Sequence, residues 1–124
     1  MSEDKTFEKD GKEVVLDSGL TIIIHEEGEG GVPGYNQNVE AHYTGFLDDG
    51  TIFDSSFNRN QTFKFPVGKG RVIKGWDEGF MSIKVGTKAT FIIPPELGYS
   101  ENGAGRVIPP NATLFFQVHL IGVS

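Results

Sequence analysis

Only one stretch of this 124-residue chain can form a helix, Lys74 to Met81, and it is about two turns long. Asp77 and Glu78 fall in its first turns, where the helix dipole favours acidic groups. A helix this short holds only when it is packed against something. The rest of the chain is punctuated by 17 glycines and 6 prolines, which favour short strands joined by turns. A two-turn helix cannot cover a whole sheet face, so the sheet has to curl around it. The expected fold is α+β: a five- to six-stranded antiparallel curled sheet, a half-barrel, wrapped around one short α-helix. The open end of a half-barrel leaves a cavity lined by aromatics from several strands.

The strand pattern supports this. Glu13 to Leu16 and Leu20 to His25 are rich in β-branched residues and flank an Asp17-Ser18-Gly19 turn. Residues 26–37 hold four glycines and a proline and read as a loop. In Val39 to Thr44, Val39, Ala41 and Tyr43 share one face, and Glu40, His42 and Thr44 the other. Asp48-Asp49-Gly50 predicts a hairpin returning through Thr51 to Asp54. Ser55 to Gln61 is polar and irregular, and Phe63 and Phe65 flank Lys64 in another strand. Lys88 to Ile93 alternates again until Pro94-Pro95 stops it, and a long loop to Pro110 follows. In the final strand Leu114, Phe116, Val118 and Leu120 share a face.

Several function classes drop out. The net charge of −6 argues against a nucleic-acid or anionic-membrane surface. Residues 1–17 carry six of the acidic and three of the basic groups, half of that net charge, so residues 1–12 read as an acidic, flexible leader ahead of a domain over 13–124. No apolar run approaches the ~18 residues of a membrane span, and no signal-peptide core follows the start. Without cysteine there are no disulfides and no thiolate ligands, which is compatible with the cytoplasm. His25, His42 and His119 fall on three separate strands and read as surface residues rather than metal ligands. Asp48-Asp49 is a turn, and the Gly-rich loop lacks phosphate-cradle spacing. Asn60-Gln61-Thr62 and Asn111-Ala112-Thr113 match the glycosylation sequon, but no signal peptide accompanies them. The chain ends four residues after Leu120, and no further segment is expected.

What remains is aromatic. The chain has 10 Phe, 3 Tyr and a single Trp, and that Trp sits in Val72-Ile73-Lys74-Gly75-Trp76. Read from the residues alone, Trp76, Phe63, Phe116 and Ile73 are first core packing and second the wall of an apolar pocket. Asp54 and Arg59 are first a loop ion pair of little value. Tyr99 is first a surface tyrosine.

Four motifs in series, over residues 19–124, resemble the FKBP-type peptidyl-prolyl isomerases. Val39 to Gly45, VEAHYTG, is similar to that family's VHYTG strand, and Ile52 to Arg59, IFDSSFNR, to its FDSS segment ending in Arg. Phe63-Lys64-Phe65 with Gly68 to Gly79 resembles its FxF strand followed by VIxGW, and Ile93 to Phe116 its flap and last strand. The strand near Val14 is similar to one that larger members carry ahead of the core domain. Two departures stand out. Arg71 precedes the Val-Ile pair where many members have Glu, reversing a charge at the pocket rim. Ser100 follows Tyr99 where Gly is usual, and Ala104 replaces a His that some members have.

The resemblance implies a cofactor-free and metal-free isomerase for X-Pro bonds in peptides and folding proteins. Its pocket would bind the macrolides tacrolimus and rapamycin, and the protein would be a monomer without nucleic-acid or membrane partners. Trp76 would floor the pocket. Tyr43, Phe53, Phe63, Val72, Ile73 and Phe116 would wall it, and Ile108 would contribute from the flap with Val107 nearby. Tyr43, Asp54 and Tyr99 would be the catalytic polar groups, with Arg59 positioning Asp54. A second reading keeps the same pocket without turnover, as a proline- or macrolide-binding scaffold or chaperone. A ternary complex of a drug-bound form with a phosphatase or kinase is suggested by the same resemblance, and Arg71 and Arg106 alter the charge such a partner would face.

Overall fold

The computed structural model describes residues 11–104 and 107–124. All but the last two residues of the acidic leader therefore lie outside the described residues, as does Arg106. Seven strands and one α-helix follow in chain order: β1 Lys12–Val15, β2 Thr21–Glu26, β3 Asn38–Phe46, β4 Ile52–Ser55, β5 Phe63–Pro66, α1 Lys74–Phe80, β6 Lys88–Ile93 and β7 Leu114–Val123. Short 3-10 turns occupy Phe57–Arg59, Pro95–Leu97 and Ser100–Asn102.

Every pairing is antiparallel, in the order β1-β2-β6-β7-β3-β4, with β5 also on β3. The expected α+β half-barrel is what forms, with seven strands where five or six were expected. All seven match segments read as strands from the sequence, and two of them share one edge of β3. β3 runs for nine residues, long enough to pair β5 along Asn38–Ala41 and β4 along Thr44–Phe46 on the same edge. Each of those partners is only four residues long.

The alternation decides which side is buried. Val39, Ala41 and Tyr43 of β3, Ala89, Phe91 and Ile93 of β6, and Leu114, Phe116, Val118 and Leu120 of β7 all enter one core with Leu20 and Ile22. That core meets Trp76 and Phe80 of α1. The helix can lie this close because its inward positions include glycines. A Cβ on Gly79 would lie 2.6 Å from the Phe91 ring, and one on Gly75 2.7 Å from the Ile93 side chain. The Asp48-Asp49-Gly50 turn forms as expected: Gly50 adopts φ 89°, its N–H donates to Leu47 O, and the Thr51 N–H donates to Asp49 Oδ1. No helix among the described residues is long and apolar enough to cross a membrane.

Candidate active site

One end of the half-barrel opens into a hollow of about 270 Å³ lined by Tyr43, Phe53, Asp54, Phe63, Arg71, Val72, Ile73, Trp76, Tyr99 and Phe116. Nine of the twelve residues named from the resemblance as ligand-binding are among them; Arg59, Val107 and Ile108 are not. Each wall comes from a different element: Tyr43 from the middle of β3, Phe53 and Asp54 from β4, Phe63 from β5, Trp76 from α1 and Phe116 from β7. Only a curled sheet could bring these together.

Trp76 is 4% exposed, so it belongs to the core as well as to the hollow. Its indole meets Tyr43 edge-on at 4.8 Å and Phe116 at 5.2 Å, with Phe80 at 5.3 Å and Phe63 at 5.8 Å. These are the tilted and T-shaped geometries that aromatic quadrupoles favour. They fix the indole from several sides. Its buried Nε1–H has no acceptor among the described residues, leaving one polar group unmatched in an otherwise apolar cluster. The two sequence readings, packing and pocket, both hold for this residue.

Asp54, Tyr43 and Arg59 form one network. The Tyr43 hydroxyl donates to Asp54 Oδ2 at 2.5 Å, and Arg59 donates from Nη1 to Asp54 Oδ1 at 2.5 Å and from Nη2 to the Tyr43 hydroxyl at 3.0 Å. Arg59 reaches them from the Phe57–Arg59 turn, with its guanidinium 5.8 Å from the centre of the Tyr43 ring. It lies behind the wall rather than in it. Burial alone would raise the Asp54 pKa, but the hydrogen bonds from Tyr43 and Arg59 and the Arg59 charge outweigh it and hold the carboxyl below its ordinary value. Burial, then the Asp54 hydrogen bond, pushes the Tyr43 hydroxyl up. Burial, then the Asp54 charge, does the same for Tyr99. Asp54 is thus an anion and both tyrosines are neutral donors near neutral pH.

Two supports escaped the sequence. Ser56 is fully buried, and its Oγ accepts the Tyr43 N–H at 2.7 Å, donates to Tyr43 O at 3.2 Å and lies 2.7 Å from His42 Nδ1. It locks the backbone that carries Tyr43, and one serine in a polar run gives no such signal. Asp77, read from sequence only as favoured by the helix dipole, accepts the Gly68 and Gly70 N–H groups at 2.7 and 3.0 Å. Both glycines have positive φ, 87° and 74°. The tight loop so held delivers Arg71, Val72 and Ile73 to the hollow.

The flap residues stand differently from expectation. Ile108 is 6% exposed and packs into the core, where its N–H donates to Ala104 O and its carbonyl accepts the Ala104 N–H. Val107 is exposed. With Ile108 bridged to Ala104, its side chain turns inward while that of Val107 faces solvent. Tyr99, by contrast, reaches the hollow from the residue preceding the Ser100–Asn102 turn.

A larger hollow, about 470 Å³, lies on the outer face of the sheet, bordered by His25, Glu26, Thr44, Phe57, Lys88, Gln117 and His119 among others. It lacks the ring of aromatics, and some of its polar groups are already paired. His25 Nε2 sits 2.7 Å from Thr90 Oγ1, and Lys88 Nζ 3.7 Å from Glu26. The smaller hollow is the better candidate because its ring of aromatics is joined to the polar groups of Asp54 and Tyr99.

Comparison with known proteins identifies the family. The family model of the FKBP-type peptidyl-prolyl cis-trans isomerases matches residues 30–121. The chain is 52% identical over 103 residues to FK506-binding protein 1 of Dictyostelium discoideum, covering 83% of this chain and 96% of that protein. It is 49% identical over 106 residues to peptidyl-prolyl cis-trans isomerase Fkbp12 of Drosophila melanogaster, covering 85% of this chain and 98% of that one. The crystal structure of AtFKBP13 superposes with a TM-score of 0.86 at 38% identity, covering 91% of this chain and 99% of the other. With the curled sheet, the single helix and near-full-length similarity in agreement, this chain is a member of the FKBP-type peptidyl-prolyl cis-trans isomerase family.

Proposed function

We propose that the aromatic hollow isomerises X-Pro bonds in peptides and slow-folding proteins without a cofactor, and that it also takes tacrolimus and rapamycin. One observation carries the reading: the hollow joins a buried indole, Trp76, to Tyr99, whose hydroxyl is a neutral donor, and to Tyr43, whose hydroxyl is held by Asp54. The barrier to X-Pro rotation, ~20 kcal/mol, comes from lost amide resonance. In the twisted transition state the nitrogen lone pair withdraws from the carbonyl, which becomes less polar. Water solvates the planar amide better and so opposes the twist. A dry aromatic hollow removes that bias and binds the twisted form in preference. In this reading the proline ring rests on Trp76, Phe53, Phe63, Val72, Ile73 and Phe116 enclose it, and Tyr99 donates to a substrate carbonyl. Asp54 and Arg59 orient Tyr43 and perform no proton transfer. Val107, exposed on the flap, is placed to meet the chain of the substrate as it passes, while Ile108 supports the flap from the core.

The test is the isomerisation rate of a short X-Pro peptide with and without rapamycin. Acceleration that rapamycin abolishes is expected, with a change in the emission of Trp76, the chain's single tryptophan. An unchanged rate would overturn the enzyme reading. Drug binding without turnover would leave the scaffold reading in its place.

A further inference from the structure

We infer that Arg71 makes this site selective for prolines flanked by a carboxylate, an Asp or Glu next to the isomerising bond. The inference rests on the isomerase reading of the hollow and names its substrate class. Only two of the lining residues bear a formal charge near neutral pH, Asp54 and Arg71. Asp54 is already neutralised by Arg59, and its two oxygens take hydrogen bonds from Arg59 and Tyr43. Arg71 is exposed and has no ion-pair partner among the described residues. The uncompensated charge at the mouth is therefore positive, in a chain whose net charge is −6.

The backbone that carries Arg71 is held in place. Asp77 pins the amides of Gly68 and Gly70 just before it, and Val72 and Ile73 line the hollow just after it. The guanidinium thus swings from a fixed base beside the proline position. One residue of extended chain spans about 3.5 Å, so a side chain adjacent to the proline is within its range. A planar guanidinium receives a carboxylate through two parallel N–H groups, which an amide of the same shape cannot match in charge. The acidic remainder of the molecule repels such a peptide, so a preference for it has to arise locally. Exposed ion pairs are weak, and the expected selectivity is about 1.5- to 5-fold.

The experiment uses blocked tetrapeptides with Glu, Gln, Leu or Lys placed just before or just after the proline. Their isomerisation is followed by NMR exchange, which avoids the specificity of a coupling protease. The readout is the Glu-to-Gln ratio of kcat/KM within each protein, so any general loss of activity cancels. At low ionic strength the ratio should exceed one at one or both positions in the unaltered chain. It should fall to about one in Arg71→Gln, and Lys peptides should overtake Glu peptides in Arg71→Glu. Salt at 1 M, with a screening length of about 3 Å, should erase it. A ratio of one in the unaltered chain, or a ratio that Arg71→Gln leaves alone, overturns the inference. If no peptide is turned over, the isomerase reading fails instead. The same ratio read from peptide binding, through Trp76 fluorescence, then decides the role of Arg71 by itself.

Discussion

Asp54 matters less for what it could do to a substrate than for what it does to its neighbours. Its two oxygens hold Tyr43 and Arg59 in one arrangement, and Tyr43 in turn packs edge-on against Trp76. Hydrogen bonds to charged groups contribute about 1.5–3 kcal/mol when buried and less at this partly exposed site. Replacing Asp54 by Val should lower kcat/KM about ten-fold or more, Asp54→Asn should fall between, and circular dichroism should show the fold intact. The protonation states allow a sharper check. The depressed Asp54 carboxyl stays ionised above its ordinary 3.8, and the raised Tyr43 and Tyr99 hydroxyls stay neutral to beyond 10.0. Turnover should therefore be flat from about pH 5 to about pH 9, because no group at the site changes charge there. A limb near neutrality that disappears in Tyr99→Phe or Asp54→Asn would mean one of them transfers a proton. The place of Tyr43 and Asp54 at the hollow was legible in the sequence only through the motifs that carry them. Ser56 was not legible, since its partners, the Tyr43 backbone and His42, lie on β3 and no periodicity links them to it.

The helix and sheet were readable to within one or two residues because each has a period. The β3 alternation, the β7 alternation and the short helix all came out where expected, and the buried faces are the apolar ones. The 3-10 turns at Pro95–Leu97 and Ser100–Asn102 were not foreseen: three residues closing i to i+3 hydrogen bonds leave no pattern to detect. Nor does a sequence say which glycines are needed for space rather than for turns. Gly79 answers that at the scale of the helix. Its φ is ordinary, yet an added Cβ would press on the face of Phe91, which is fully buried and has nowhere to move. Gly79→Ala gains helix propensity of about 1 kcal/mol. Overpacking works against it by about 1–3 kcal/mol. The balance should be a net loss, seen as a lower urea midpoint. Because α1 also carries Trp76, displacement of the helix should weaken substrate binding too, raising KM more than it lowers kcat. An alanine here that stabilises the protein would show that α1 can move away from β6 without cost.

At the scale of the whole molecule the curled sheet has two unlike sides. The inner side holds the aromatic core and the hollow. The outer side carries a transverse row, Glu26 of β2, Lys88 of β6, His119 of β7 and His42 of β3, brought into line by strand register. Read along the chain, the histidines looked isolated on separate strands. Their alignment depends on the order β2-β6-β7-β3, which no local pattern encodes. The row has an energetic consequence. Burial first, then the Lys88 charge, lowers the His119 pKa, with His42 acting in the same sense and Glu26 opposing. The folded state therefore binds this proton less readily than the unfolded chain, whose histidine keeps the ordinary 6.5. Stability from this group is fully present above 6.5 and is lost as the pH falls toward the lower folded value. The urea midpoint should drop between about pH 7.5 and about pH 5.5, and His119→Gln should flatten that slope. Lys88→Gln should flatten it in part, since it removes the second cause and leaves the first, and Glu26→Gln should steepen it. The last variant separates the row from simple burial, because burial of His119 is the same with or without the Glu26 charge. Equal slopes in the unaltered chain and in Glu26→Gln would mean that the outer face is read by solvent one residue at a time.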